Sequence, residues 1–383
     1  MDVERLVKKA DYPASQKCVY LNAASVALMH AEAAKVATDW QKDVAENGTI
    51  NFDEKAEEHI FDDLHRAVAR LFNADAEDIA VGSSATELMS SLAWATPPDK
   101  TANIVGTDAA HPSTIYPWQR VARHVGCEVR LARADETGIV SNEELFGLID
   151  ERTAIVNISH VEYRSGQMYN LQALAQEAHA HGALLVVDAT QSAGQVPMNV
   201  RNWEVDAVVS SGYKWLCGPF GVAVVYVAPG LQSQLDPGLV GWRSHKDMWD
   251  FRADRLEFPK TAKRFEASTM AYGLAPSLAR AVEFLNEIGV DRILKHNKTL
   301  ANMLAKGFQE REGQIASPQR NEERSSIISV RFPGHDAASI AQRLNAAKVV
   351  VSARGDVIRF SPHLYNTKED IERVFEVMNK ILE

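Results

Sequence analysis

The stretch Ala183–Val222, ALLVVDATQSAGQVPMNVRNWEVDAVVSSGYKWLCGPFGV, constrains the fold more than any other part of the chain. Leu184–Val187 and Ala207–Val209 are short, apolar and β-branched, the pattern of strands buried on both faces of a parallel sheet. The first runs into Asp188 and the second into Ser210-Ser211-Gly212-Tyr213-Lys214. Open α/β sheets bind ligands just beyond the carboxyl ends of their strands. An acid and a lysine at two such ends therefore share one crevice, although a long excursion separates them in sequence. A lysine amine desolvated in a cleft sheds its proton and can form an imine with a carbonyl. An aspartate out of its reach can hold a proton on a heterocyclic nitrogen. The same pair also suits an ordinary α/β protein, with Asp188 capping a helix and Lys214 standing in solvent.

Composition sets outer bounds. The chain has 383 residues, 46% hydrophobic and 24% charged, which is enough for two domains. A net charge of −10 and the lack of a basic run argue against a nucleic-acid surface. The opening MDVERLVKKADYP has no apolar signal core, and no stretch is apolar enough to span a bilayer, so a cytoplasmic protein without membrane contact is expected. Three cysteines without paired spacing suggest neither a disulfide frame nor a metal site.

Along the chain, residues 1–20 read as a short amphipathic helix and a lead-in, and residues 31–73 carry two helical patterns. Strands are expected at Ile79–Val81, Asn103–Gly106, Val129–Ala132 and Thr153–Ser159, with an outer one at Val222–Val227. They alternate with helices at Leu88–Ala95, Asn142–Ile149 and Leu171–His181, the rhythm of a doubly wound, mainly parallel sheet. Gly82-Ser83-Ser84-Ala85-Thr86-Glu87 opens the first of these helices. A small, hydroxyl-rich turn of this kind serves as a phosphate cradle or simply as a cap. Val240–Lys263 has no clean period and reads as a long loop near the entrance. Beyond it, a helix at Pro276–Ile288 leads to strands at Ser325–Phe332 and Val349–Ser352 and helices at Ala337–Ala346 and Lys368–Ile381. The expected division is a large domain over 20–270 and a smaller α+β domain from 1–19 with 271–383.

VVDATQSAGQ at Val186–Gln195 and SSGYKWLCGPFG at Ser210–Gly221 resemble the active-site core of the class V aminotransferases. This fold-type I group contains cysteine desulfurases, selenocysteine lyases, kynureninase and isopenicillin epimerase-like enzymes. The likeness runs from about Tyr20 to the C-terminus. It implies pyridoxal phosphate (PLP) in a Schiff base with Lys214, its pyridine nitrogen held by Asp188 and its ring stacked on His111. It further implies phosphate contacts from Ala85, Thr86, Ser211 and Tyr213, and a hydrogen bond from Gln191 to the phenolic oxygen. RFEAST at Arg264–Thr269 resembles the family motif whose threonine reaches the phosphate of a partner subunit, so Thr269 implies a homodimer with active sites at the interface. Ser268 stands there in place of the usual glycine. Asn22, in the small-residue segment Tyr20–Ser25, and Tyr163 match positions near the substrate. Arg164 suits a substrate ligand or a surface ion pair equally, and Cys217 matches a structural position.

An α-amino acid needs a cation for its carboxylate, and arginine is the bidentate choice. Arg359, on an apolar strand, matches the family's carboxylate-binding residue, and Arg354 is a second candidate. Desulfurases of this family insert a loop bearing a nucleophilic cysteine before that arginine. Here only Gly355–Ile358 separates the two arginines, and no cysteine follows Cys217. The expected chemistry is α-proton abstraction from an external aldimine by Lys214, leading to C–S β-elimination on a cysteine-type substrate. Transamination and epimerisation use the same residues and stay open, and a cofactor-dead scaffold or regulator is the non-enzymatic alternative.

Overall fold

The structure, a computed structural model, describes residues 5–383. Its strands are β1 (Val19–Tyr20), β2 (Ile79–Gly82), β3 (Asn103–Thr107), β4 (Glu128–Ala132), β5 (Thr153–Ser159), β6 (Leu184–Asp188) and β7 (Ala207–Ser211). They continue with β8 (Ala223–Val227), β9 (Gln314–Ile315), β10 (Ile328–Arg331), β11 (Val349–Val350), β12 (Ser352–Arg354) and β13 (Val357–Phe360). Seven of them form one sheet in the order β2-β8-β7-β6-β5-β3-β4. β4, β3, β5, β6 and β7 run parallel, whereas β8 is antiparallel to both of its neighbours. The apolar runs are continuous because both sheet faces are covered. Val208, Val224 and Tyr226 pack with Leu64, Val68, Phe72 and Leu278 on one side. Ala207, Val209 and Val225 pack with Leu88, Met89, Leu92 and Trp118 on the other.

After β3 the chain steps outward to β4 and then returns to β5 on β3's other side. That reversal opens a crevice at the carboxyl ends of β3 and β5, the usual place for a ligand in such sheets. β6 and β7 continue the edge of this crevice.

Three sequence readings need correction. Val222–Val227 is not an outer strand: β8 lies between β7 and β2, where hydrogen bonding from both sides buries it fully. The described part of residues 1–20 forms two 3-10 turns, Lys9–Asp11 and Pro13–Gln16, and then β1, while residues 1–4 lie outside the described residues. The helix Ala275–Ile288 was expected in the small domain, yet its Leu278, Val282 and Leu285 share the core of Phe61 and Leu64. A further helix, Val290–Gln309, follows at once, with Ile293 in that core and Leu300 in a second one. The change of core therefore comes later than residue 271.

The second core gathers Leu21, Leu304, Phe308, Ile328, Phe360 and Met378. Over it lies a four-stranded antiparallel sheet, β12-β13-β10-β9. β1 pairs in parallel with β11, tying the N-terminal segment to this C-terminal part.

Candidate active site

Asp188 ends β6 and aligns with Val209 of β7, so the parallel register itself brings the acid beside the turn that carries Lys214. Both line one cleft at the carboxyl edge of the sheet, together with Ala85, Thr86, His111 and Tyr163. Gln191, Ser211 and Tyr213 line it as well. Nine of the residues singled out from the sequence thus converge on one cavity.

The Asp188 carboxylate is held from two sides. Thr114 Oγ1 donates to Oδ2 at 2.7 Å, and the Thr190 backbone N–H donates to Oδ1 at 2.9 Å. Each oxygen keeps a lone pair for a further donor. Burial pulls the Lys214 amine down to about 8, a shift that Asp188 opposes and Arg359 and Arg354 reinforce. An amine so placed is a nucleophile near neutral pH. Burial and the Lys214 charge also lower the His111 pKa, which keeps its imidazole neutral. Its Nδ1 accepts from the Ser113 backbone N–H at 3.2 Å, capping the helix Pro112–Val125. The Tyr163 ring meets it edge to face, centroids 5.3 Å apart.

At the other end of the cleft, the helix Ala85–Ala95 begins where β2 stops. Ser84 caps it by accepting from Glu87 N at 3.1 Å, which leaves the first-turn amides of Ala85 and Thr86 without an intrahelical partner. Capping and an anion cradle are therefore compatible here, since they use different N–H groups. Gly82 allows the close approach of this helix, because a Cβ there would lie 2.7 Å from Leu88.

Gln191 is more committed than its expected role suggests. Its Nε2 donates to Ala24 O at 2.9 Å, and its Oε1 accepts from Trp215 Nε1 at 2.8 Å. Only the second amide N–H is left for a ligand. Asn22 pairs through its backbone with Ser361, and its buried Oδ1 has no hydrogen-bond partner.

Arg354 and Arg359 do not line this cavity but converge beside it on Ser25. Arg359 is buried at 1% exposure, and it donates to Tyr163 O and to Ser25 Oγ, both at 2.6 Å. Burial, with Arg354 alongside, lowers its pKa to about 9. Arg354 donates to the same Ser25 Oγ at 2.9 Å. Arg164 resolves as an ion pair, with Asp356 at 2.6 Å. Thr269 is exposed and lines no part of this chain's own cleft. The Val240–Lys263 segment likewise gives the cleft no residue. Cys217 is fully buried, its thiol pushed up to about 12, and so is inert.

Sequence reasoning overlooked Thr114, Thr190 and Ser25. Thr190 had a readable signal, since an aspartate followed two residues later by a free N–H commonly closes an Asx turn. Thr114 had none, because only the packing of the Pro112–Val125 helix brings it to β6.

The donor set suits PLP: unpaired helix amides for a phosphate, a doubly anchored carboxylate for a protonated ring nitrogen, and an amine of lowered pKa for an aldehyde. This sheet and site together define a fold-type I PLP enzyme. Residues 19–374 match the family model of aminotransferase class V, and the chain belongs to that family. It is accordingly a PLP-dependent enzyme. Among curated relatives, it is 28% identical over 365 residues to the uncharacterized aminotransferase YcbU of Bacillus subtilis (strain 168), covering 95% of each chain. Among solved structures, it resembles the apo cysteine desulfurase from Thermococcus onnurineus NA1, with TM-score 0.89, 23% identity and coverage of 98% and 97%. It also resembles the cystine C–S lyase C-DES, solved with its reaction product cysteine persulfide, with TM-score 0.86, 23% identity and coverage of 95% and 98%. Among the described residues no helix is long and apolar enough to cross a membrane.

Proposed function

We propose that the enzyme breaks the Cβ–S bond of a cysteine-type α-amino acid, releasing a thiol, pyruvate and ammonia. The observation that carries this reading is the short β12–β13 hairpin, whose turn is only Gly355-Asp356 and which bears both candidate carboxylate-binding arginines. That turn carries no cysteine, and the sequence has none beyond Cys217, which supports the reading. Sulfur would then depart with the leaving group rather than pass to the protein. The likeness to a cystine C–S lyase supports the same reading.

PLP, when bound, supplies an aldehyde for the amine and an electron sink for the carbanion. Lys214, anchored at the end of β7, takes the proton from the substrate Cα. Asp188, fixed by Thr114 and Thr190, keeps a proton on the ring nitrogen. His111 would pack its neutral ring against the cofactor ring, and the remaining Gln191 N–H would donate to the phenolic oxygen. Ala85, Thr86, Ser211 and Tyr213 hold the phosphate, Arg359 grips the α-carboxylate, and Asn22 and Tyr163 border the substrate.

The active form on this reading is a homodimer in which Thr269 completes the partner's phosphate site. Leu239, Val240, Phe251 and Leu256, not far along the chain from Thr269, are exposed apolar side chains of the kind a subunit contact buries. The two cores correspond to a large and a small domain, with the boundary inside the helix Val290–Gln309. We place the protein in the cytoplasm.

The test is direct. Purified enzyme incubated with S-substituted cysteines yields equimolar pyruvate and ammonia. Accumulation of the pyridoxamine form with a keto acid, and no pyruvate, overturns the lyase reading in favour of transamination, the reaction named for the Bacillus relative. Borohydride fixes the cofactor on Lys214, and Lys214→Ala loses turnover by at least about a thousandfold. A label on any other residue removes Lys214 from the mechanism.

A further inference from the structure

We infer that Arg354 and Arg359 together accept two anionic groups, so that the substrate is an α-amino acid with a second acidic group on its side chain. The inference rests on the reading that the cleft takes an amino acid, and it adds the class of side chain.

The hairpin geometry comes first. Antiparallel register places Arg359 opposite Ser352, and Ser352 shares a strand face with Arg354 two residues on. Both guanidinium groups therefore stand on one side of the hairpin. Both donate to one oxygen, Ser25 Oγ, at 2.6 and 2.9 Å. A hydroxyl oxygen has two lone pairs, so these donors saturate it while neutralising neither charge.

No carboxylate among the described residues pairs with either guanidinium. The acid nearest in sequence, Asp356 at the hairpin turn, is drawn away by Arg164 and Arg331. Arg359 is buried, and its Nε finds no hydrogen-bond partner at all. Among the described residues, Arg354 donates to Ala353 O and to Ser25 Oγ.

Two adjacent cations under partial burial repel, and each gains from an anion of its own. A lone α-carboxylate brings one negative charge and leaves the second guanidinium unpaired. The pair lies beside the cleft, since Arg359 donates to the backbone carbonyl of Tyr163, one of the cleft's lining residues. Ser25 lies between Ala24, whose carbonyl holds Gln191, and Ala27, whose N–H donates to Tyr213 O at 3.1 Å. Both arginines weaken proton binding at Lys214, so their field reaches the amine.

Non-reacting acids of equal length isolate the effect. In calorimetric titrations of the holoenzyme, succinate binds about tenfold tighter than butyrate, ~1.4 kcal/mol. Arg354→Met narrows that margin to about twofold or less, while Arg354→Lys keeps part of it. Arg354→Gln serves as the second variant, with the unfolding midpoint reporting that each protein is folded. Equal affinity for the two acids in the unsubstituted enzyme overturns the inference. So does a margin that survives both neutral variants, or a loss that falls equally on succinate and butyrate, since then the two arginines clamp one carboxylate. No turnover is needed, so failure here is separable from failure of the lyase reading, which product analysis decides.

Discussion

At the scale of single residues, the site depends on groups that hold the reacting ones. The Thr114 hydroxyl donates to the Asp188 carboxylate across a fully buried contact, and such charge-assisted bonds contribute roughly 1.5–3 kcal/mol. Thr114→Val keeps the shape and removes the donor. We expect kcat/KM to fall by about tenfold or more. An unchanged kcat/KM would show that Thr114 only fills space. The same logic explains Gln191, which holds Ala24 and Trp215 as firmly as it offers a donor to the cleft.

At the scale of elements, the turns after β6 and β7 are fitted against each other. Gly194, in the turn after β6, has φ +97°, and a Cβ there would collide with the backbone carbonyl of Trp215, the residue next to Lys214. Gly194→Ala thus combines a disfavoured backbone angle with a push on the lysine turn. We expect a loss of about 2–3 kcal/mol in urea unfolding together with reduced turnover. A fully stable variant with impaired activity would mean that the turn moved without resistance. His363 braces the same turn from the small-domain side, its Nε2 3.0 Å from Trp215 O and its Nδ1 3.1 Å from Asn297 Nδ2. The lysine is therefore positioned by two elements distant in sequence.

For the whole molecule, two quantities are open to measurement. On the homodimer reading, replacing two exposed apolar residues, Phe251→Asp with Leu256→Asp, shifts the protein to monomer in sedimentation at micromolar concentration. A dimer that persists would move the interface elsewhere. The second quantity is pH. Glu162 is fully buried, accepting from Thr107 Oγ1 at 3.0 Å and Tyr169 OH at 3.3 Å, and burial raises its pKa from 4.5 to about 8. A folded-state pKa above the unfolded one means that the native state keeps a proton the unfolded chain has released. Its contribution is complete below about pH 4.5 and is lost as pH rises through 8. Glu162→Gln removes this dependence, so the variant's stability relative to the parent rises steadily from pH 5 to pH 8 in urea titrations. Parallel curves would show that Glu162 is ionised throughout.

The β-branched runs, the strand-end positions of Asp188 and Lys214, and the hydroxyl-rich turn before Ala85 were all legible in the sequence. Each is a local pattern: period, burial on both faces and turn chemistry follow from neighbouring residues. The place of β8 inside the sheet was not, because an apolar strand reads the same at an edge or beside two partners until pairing is known. Nor was the core to which Leu278 belongs, since its helix has an apolar stripe that either domain could cover. Thr114 on Asp188, and two arginines sharing Ser25, arise only when segments far apart in the chain are packed together. The sequence by itself determined which chemical groups the molecule has and which local elements carry them. The tertiary structure alone decided which groups meet, because hydrogen bonds and unpaired charges act over a few ångströms of space and are blind to separation along the chain.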